Sequence, residues 1–532
     1  MPFFKTIRWQ AALLGILLSG IFLRSYWYFY NRSLWKDEAA LANNIIDYDL
    51  NHLIFSALDN VQAAPPAYLA VVKTTAYFFG YGELSLRLFP FICSIISVIA
   101  FFLLSKQLFK MRGQLLANTL FCLSTPLIYY AAEAKQYQTE LMASVIVLLL
   151  AVKYRYELSF TRAVLLGVMG AVLIWFSNTC IFSLAGIGLS LLYYYLKYKK
   201  YKSLSYLIGV GGIWVLSFAI YYFTILNTNS NIDLFVDRWQ SKFVPLPNHI
   251  YWYIRTTVFS FNDPLGLSIP YSYTSTFPSI YSHLIFFAYT SLALLIVGII
   301  AFIKESKYIL TLLLWPVLIT ALASYFKYYP FHERFIVFLS PVVYLLIAKA
   351  ADSQVQSGKG KKLVNTLVYI SVVYMVVNVG IKLANPQLFG NNYKFSNGRE
   401  AINFIDEHRQ QNDIVYISIR SFKIYKYYNY RQQLNWKTFI GLAPKMFHNR
   451  EELRQYLQTF TDQYDAHQKV YFLIDKTDDP LKKDQSAYCT EATFAEALTS
   501  YGRVYDLYTG KDMTIFLLDI QPKANGDDKK IQ

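Results

Sequence analysis

The sequence predicts a polytopic α-helical membrane protein with a C-terminal soluble α/β domain, and three observations carry that prediction. Of its 532 residues 55% are hydrophobic and 18% aromatic, and only 16% are charged; a water-soluble chain carries about 25% charged residues. Apolar runs approaching the roughly 18–20 residues that span a bilayer recur from Ile7 to residue 383. Beyond residue 384 the character changes: 20 Lys and Arg and 19 Asp and Glu are interspersed with short apolar stretches.

The first run, Ile7 to Tyr28, is flanked by Lys5 and Arg8 and lacks a small-residue cleavage site, so it reads as a retained span rather than a signal peptide. Further spans are expected near 86–105, 114–131, 138–153, 163–178, 180–196, 204–226, 283–303, 308–326, 335–350 and 363–383, making about eleven. Residues 66–79, PAYLAVVKTTAYFF, do not fit that series. Fourteen helical residues reach about 21 Å, short of a hydrocarbon core of about 30 Å, and Lys73 sits in the middle. If this segment does not cross, the loops bearing Lys106, Lys110 and Arg112, then Lys153, Arg155 and Arg162, then Lys197 to Lys202, then Lys304 and Lys307, then Lys359 to Lys362 all share the side of Lys5 and Arg8. If it crosses, all of them move to the opposite side, against the preference of basic loops for the cytoplasm. An interfacial helix entered through Pro65-Pro66 is therefore expected. The N-terminus is then cytoplasmic in a plasma (inner) membrane, and residues 30–85, the turn near 132–137, the long loop 227–282, the turn 327–334 and the tail all face outward.

This gives two domains, a membrane domain over 1–384 and an extracytoplasmic α/β domain over 385–532. In the tail, DIVYISI (413–419), KVYFLID (469–475) and MTIFLLDI (513–520) read as strands, and 398–410 and 450–460 as amphipathic helices. Their alternation indicates layered α/β packing. No Gly-rich phosphate loop is present, because Gly441, Gly502 and Gly510 stand alone.

The formal charge of +16 does not indicate nucleic acid: the tail is nearly neutral, so the basic excess lies in short loops between spans, where it sets orientation. Three of the four cysteines, Cys93, Cys122 and Cys180, fall in apolar runs and Cys489 in the tail, with no spacing that suggests a disulfide framework or a zinc site.

Chemistry is expected where acids stand at the ends of spans. RSLWKDEAALANNII (32–46) places Asp37 and Glu38 just after the first span, with Ser33 as the expected cap of a helix. A helix N-terminus favours an ionised carboxylate, which can act as a general base; the same acids would serve equally as capping groups. YYAAEAKQYQTEL (129–141) places Glu133, Lys135 and Glu140 where one span ends and the next begins, and a continuous helix would put both acids on one face. An ionisable group inside an apolar run is costly and points to function, although pairing with Lys135 is the simpler explanation. His332, Glu333 and Arg334 stand at the mouth of a later span. An Arg there suits bidentate grip of a phosphate, or snorkelling to the interface. Arg255 lies in an aromatic stretch of the long loop, where Trp and Tyr more often form an interfacial belt.

DEAALANNI after the first span, then AAPPAYLAVVK with GYGELSLRLFP, EAKQYQTEL and HERFIVFLSP, occur in that order. Together they resemble GT-C glycosyltransferases of the protein O-mannosyltransferase and lipid A aminoarabinose transferase type, over roughly residues 8–350. The resemblance implies a polyprenyl-phosphate-linked sugar as donor, a lipid, glycan or protein acceptor, and inverting transfer at the outer face. It implies that Asp37, with Glu38, carries the key carboxylate. It places the second acid at Glu133 or at Glu140, depending on alignment. Arg334, with Lys135 and Arg255, would bind donor phosphate; His332, Tyr137 and Trp35 would bind substrate. No cofactor is required, and a divalent cation near the acids is compatible with these residues without being demanded by their spacing. Phe335 replaces the family's usual Tyr, and Ala40, Leu41 and Ala64 stand where the aminoarabinose transferases carry Arg, Tyr and Lys, so sugar and acceptor are expected to differ from theirs.

Two other classes fit the composition. A transporter or flippase of lipid-linked glycans would show paired repeats and broken midplane spans, whereas the unusual charges here cluster at one face. A polymerase or ligase of surface glycans would rest on arginines of a long outer loop rather than on Asp37.

Overall fold

A computed structural model describes residues 2–227, 232–268, 278–353, 358–389, 395–476 and 489–522, with the side chains of 2–7, 232–233 and 278–288 excepted. The chain forms two compact units. One comprises Met1–Asn31 and Asn44–Phe389, the other Arg32–Asn43 and Gly390–Gln532.

The first unit is helical. In chain order the early helices are α1 (Pro2–Tyr30), α2 (Lys36–Asp47), α3 (Leu50–Phe55), α4 (Pro66–Phe79), α5 (Glu83–Leu108), α6 (Met111–Leu123), α7 (Thr125–Ala131) and α8 (Tyr137–Tyr154). There follow α9 (Phe160–Phe176), α10 (Cys180–Lys197), α11 (Tyr201–Tyr221), α12 (Ile232–Trp239), α13 (Ile250–Asn262), α14 (Pro278–Glu305), α15 (Lys307–Tyr325), α16 (Ser340–Asp352) and α17 (Gly358–Ala384). Among the described residues eight helical stretches are long and apolar enough to cross a membrane: Arg8–Tyr30, Glu83–Leu108, Tyr137–Tyr154, Cys180–Lys197, Tyr201–Leu226, Lys307–Tyr325, Glu333–Asp352 and Gly358–Ala384. Every segment expected to span is helical. The others are α9, which is shorter, α14, and the pair α6–α7. The chain is a polytopic helical membrane protein with a C-terminal α/β unit.

Three expected spans are not single α-helices, and of these 204–226 simply closes in a π-helical turn over Tyr222–Leu226. Residues 114–131 break at Ser124, whose backbone is extended and whose hydroxyl accepts from Leu127 N–H at 3.5 Å. Pro126 lies in the first turn of α7, where its missing N–H does no harm. The break leaves carbonyls at the end of α6 without intrahelical donors, and Arg24 of α1 supplies them. Fully buried, it donates to Cys122 O at 3.0 Å, Phe121 O at 3.1 Å and Gly20 O at 3.0 Å. Residues 335–350 begin with tighter 3-10 turns over Glu333–Leu339 before α16.

α4 covers residues 66–79, the segment expected to be interfacial, to the residue, with Pro66 in its first turn and Gly80 closing it at φ +81°. Its terminal Tyr77, Phe78 and Phe79 are each more than 70% exposed, as aromatics at a lipid–water boundary would be. Lys73 is not left in apolar surroundings: its ammonium donates to the carbonyl of Ile45, in the last turn of α2, at 2.5 Å.

Helices approach closely where side chains vanish, as in membrane bundles. A Cβ on Gly298 of α14 would collide with the carbonyl oxygen of Leu346 of α16. Gly298→Ala is expected to force these helices apart and cost about 1–3 kcal/mol, read as a lower Tm of the detergent-solubilised protein; an unchanged Tm would show that the pair can slide without loss.

In the second unit the elements run α18 (Gly398–His408), β1 (Ile414–Ser418), α19 (Phe422–Gln432), β2 (Lys437–Gly441), α20 (Arg450–Thr461), β3 (Lys469–Asp475), α21 (Glu491–Leu498), β4 (Gly502–Thr509) and β5 (Met513–Ile520). The sheet order is β2-β1-β3-β5-β4, parallel through β2, β1 and β3 and antiparallel at β5 and β4. Its core joins Tyr416, Phe472, Leu518, Leu453, Leu457, Phe460 and Phe494. Asn449 caps α20 and Thr490 forms a capping box with Thr493 at α21. The three apolar strands expected from sequence are β1, β3 and β5. The two that sequence reasoning missed, β2 and β4, are the sheet edges, whose exposed positions carry Lys437, Thr438, Arg503 and Asp506 and blur the apolar pattern.

Candidate active site

In the second unit the segment 32–43 carries the Asp37–Glu38 pair. Both lie in the first turn of α2. Ser33 does not cap this helix. Trp35 opens it, accepting from Ala39 N–H at 2.9 Å, and Glu38 folds back so that Oε2 accepts from Trp35 N–H at 3.4 Å, half of a capping box. The Ser33 hydroxyl serves another helix: it accepts from Arg399 N–H at 3.2 Å, one of the otherwise unsatisfied donors at the start of α18, and donates to Glu400 Oε2 at 2.6 Å. Sequence spacing pointed to a capping role for Ser33 but to the wrong helix, because the true partner is 366 residues away.

Glu38 is fully buried and paired with the equally buried Arg32 at 2.5 Å. Trp35 is buried as well. Asp37 beside them is half-buried and Lys36 exposed, and Glu38 is committed to its ion pair. Arg32, the partner that sequence reasoning passed over, stands six residues before Glu38, and its charge was the available signal.

In the first unit α7 ends at Ala131 and α8 starts at Tyr137, so Glu133 and Glu140 do not share a continuous helix face. Glu133 occupies the intervening turn, fully buried. Glu140, 1% exposed, lies in the first turn of α8, and its Oε2 has no hydrogen-bond partner among the described residues. The ammonium of Lys135, also buried, donates to Gln62 Oε1, and Gln136 Nε2 to Ala63 O at 3.3 Å. Tyr130, on α7, donates to Asp263 Oδ1 at 3.0 Å and packs edge-on against Tyr137 at 5.5 Å.

Arg334, half-buried in the turn before α16, is surrounded by aromatic faces: its guanidinium carbon stands 5.2 Å from the Trp239 ring centre, 5.7 Å from Phe335 and 5.9 Å from Tyr137. Burial, with the nearby Glu140 carboxylate adding, pushes the Tyr329 hydroxyl well above its ordinary range, so this group stays a neutral donor. His332 Nε2 is 3.3 Å from Lys242 Nζ, its Nδ1 is 3.6 Å from Glu333 Oε1, and its ring lies 6.4 Å from Phe259. Arg255, exposed on α13, lies 5.4 Å from the centre of the same Phe259 ring. The structure thus brings Arg334 together with Tyr137, and His332 with Lys242 and, through Phe259, Arg255. Gln62 and Tyr329 carried no local signal, since each meets its partner across a long stretch of chain, whereas Lys242 and Trp239 stand in the same basic, aromatic loop stretch as Arg255. Among the described residues no group of three or more His, Cys, Asp or Glu is placed to hold a metal.

No protein-family model and no curated protein sequence matches the chain. Among solved structures, ArnT from Cupriavidus metallidurans superposes with a TM-score of 0.51 at 12% identity, over 96% of this chain and 98% of that one. The chain has the ArnT fold. The same figures hold for ArnT bound to undecaprenyl phosphate. Archaeal oligosaccharyltransferase AglB from Archaeoglobus fulgidus, solved with an inhibitory peptide and a dolichol-phosphate, has a TM-score of 0.46 at 12% identity, over 98% of this chain and 75% of that one. The fold expected from the ordered motifs is the one shared with ArnT, and the agreement runs through the C-terminal unit as well as the bundle, whereas the motifs covered only residues 8–350.

Proposed function

We propose that this protein is an integral-membrane glycosyltransferase that moves a sugar from a polyprenyl-phosphate carrier to a lipid, glycan or protein acceptor at the outer face of the membrane, with inversion at the anomeric carbon. The observations that carry the reading are the aromatic-framed Arg334 and, two residues before it, His332 with Lys242 and, through Phe259, Arg255, on a fold shared with a structure bound to undecaprenyl phosphate. The basic loops that would fix orientation support an outward-facing site.

In this reading the acceptor hydroxyl or amine attacks the anomeric carbon and its proton passes to the Asp37 carboxylate. The bond from that carbon to the phosphate oxygen breaks, and the electron pair leaves with the polyprenyl phosphate. The transition state resembles an oxocarbenium ion. A phosphate is already a competent leaving group, so the enzyme's work is to stabilise growing negative charge, the role assigned to Arg334 with Lys242, Lys135 and Arg255 as supporting cations. Glu38 holds the start of α2 through Arg32. Glu133 and Glu140 remain the two candidates for the second acid, and His332, Tyr137 and Trp35 for contacts with the substrate.

Arg334→Ala is expected to raise the half-saturating donor concentration about 10- to 100-fold, the loss of a charge-assisted bidentate contact worth roughly 1.5–3 kcal/mol. Unchanged donor affinity would reduce Arg334 to a snorkelling side chain. The overall reading is tested by lipid and surface-glycan mass spectrometry on a strain lacking the gene. One sugar should disappear from the surface while its lipid-linked form accumulates; an unaltered lipid and glycan profile would overturn the assignment.

A further inference from the structure

We infer that the C-terminal unit serves as the holder that sets the position of Asp37, with Tyr428 and Glu400 as positioning residues for the reaction. This rests on the reading of Asp37 as the base. The start of α2 is tied on both sides of Asp37. Ahead of it, the Ser33 hydroxyl donates to Glu400 Oε2 at 2.6 Å and accepts from Arg399 N–H at 3.2 Å, and Leu34 N–H donates to the Tyr428 hydroxyl at 3.1 Å. After it, Asn43 Nδ2 donates to the carbonyl of Lys423 at 2.9 Å. The Arg32–Glu38 pair closes the loop locally at 2.5 Å. Glu400 belongs to α18, and Lys423 and Tyr428 to α19, so two helices of the α/β unit grip one short segment from near the chain's other end.

A helix of 12 residues is marginal by itself in water. Its geometry comes from tertiary contacts, and at its start these are the ties just described. The pattern of burial shows what they accomplish. Ser33, Leu34, Trp35, Glu38 and residues 39–42 are each no more than 3% exposed, while Lys36 is exposed and Asp37 half-buried. Buried polar bonds at both flanks fix the backbone that carries the Asp37 carboxylate. General-base catalysis falls steeply with misplacement, by roughly 100-fold for 1 Å, so the bonds that orient the helix govern rate rather than donor affinity.

The test uses the full-length protein in detergent and a lipid extract from a strain lacking the gene as the donor source, following release of polyprenyl phosphate. The Tyr428→Phe/Glu400→Ala variant should lower the maximal rate about 10- to 100-fold while the half-saturating amount of extract changes less than about twofold. Glu400→Gln, which keeps an acceptor for Ser33, should restore most of the rate lost in Glu400→Ala. Hydrogen exchange should rise across residues 33–46 in the double variant and stay unchanged in β1 and β3. Should the double variant not fold, the Tyr428→Phe and Glu400→Ala single variants, with Glu400→Gln as the rescue, give the same comparison. With Asp37→Asn inactive, a double variant of normal rate overturns the positioning role alone. Full activity of Asp37→Asn overturns the base assignment and the positioning role together. A rate loss that Glu400→Gln does not recover, or that is matched by an equal loss of donor affinity, also overturns the positioning role.

Discussion

Asp37→Asn is expected to lower transfer by about 10²- to 10⁴-fold, the range general-base catalysis contributes, and to leave donor binding and Tm close to their starting values. Asn keeps the shape of the side chain and its place in the first turn of α2 but cannot take a proton. The neighbouring acid offers no substitute, because Glu38 is buried against Arg32 and already bonded to the start of the helix. The measurement is polyprenyl phosphate released per enzyme from lipid extract, paired with donor-binding titration. Turnover within about threefold of the wild-type rate would remove Asp37 from the reaction and leave the polymerase or ligase reading, with its reliance on loop arginines, as the better account.

Arg24→Leu costs about 3–5 kcal/mol of stability. The guanidinium bridges the end of α6, where the break at Ser124 frees the carbonyls of Phe121 and Cys122, to its own helix at Gly20. Hydrogen bonds from a charged donor are worth about 1.5–3 kcal/mol, and an abandoned buried carbonyl costs about 1–3 kcal/mol. Leucine would restore apolar contact with Phe121, over whose ring Arg24 now lies at 5.6 Å, but no donor. Arg24→Lys should fall between the two, because a single ammonium cannot reach three carbonyls in a fixed fork. Thermal unfolding in detergent reads both variants; a Tm for Arg24→Leu within about 2 °C of wild type would mean that water or a helix shift satisfies the break instead.

Most of the architecture was legible because hydrophobic length is a local signal. Each apolar run long enough to span became a helix, and the limits of α4 followed from Pro66 at one end and Gly80 at the other. What was not legible depended on partners distant in sequence. The split of residues 114–131 at Ser124 became intelligible only with Arg24 in place, and nothing near residue 124 announces an arginine 100 residues earlier. The core strands β1, β3 and β5 were visible since both their faces are buried; β2 and β4, half-exposed at the edges, matched neither a continuous nor an alternating pattern. At the candidate site the charged residues stood out against an apolar background, whereas the aromatic frame of Arg334 did not, in a chain holding 46 tyrosines and 40 phenylalanines. Ser33 shows the limit most clearly. Its residue type announced a helix cap, but residue type does not say whose.

The long reach between Leu34 and Tyr428 has a consequence for biogenesis. Translation delivers α19 hundreds of residues after the first span is complete, and domains made during synthesis settle from the N-terminus onward. A nascent or prematurely terminated chain would therefore carry its opening helices without the bonds that tie residues 33–43 to α18 and α19. On the proposed reading of Asp37 as the base, catalysis would begin only once the C-terminal unit has been made, and half-made copies would leave the carrier lipid untouched.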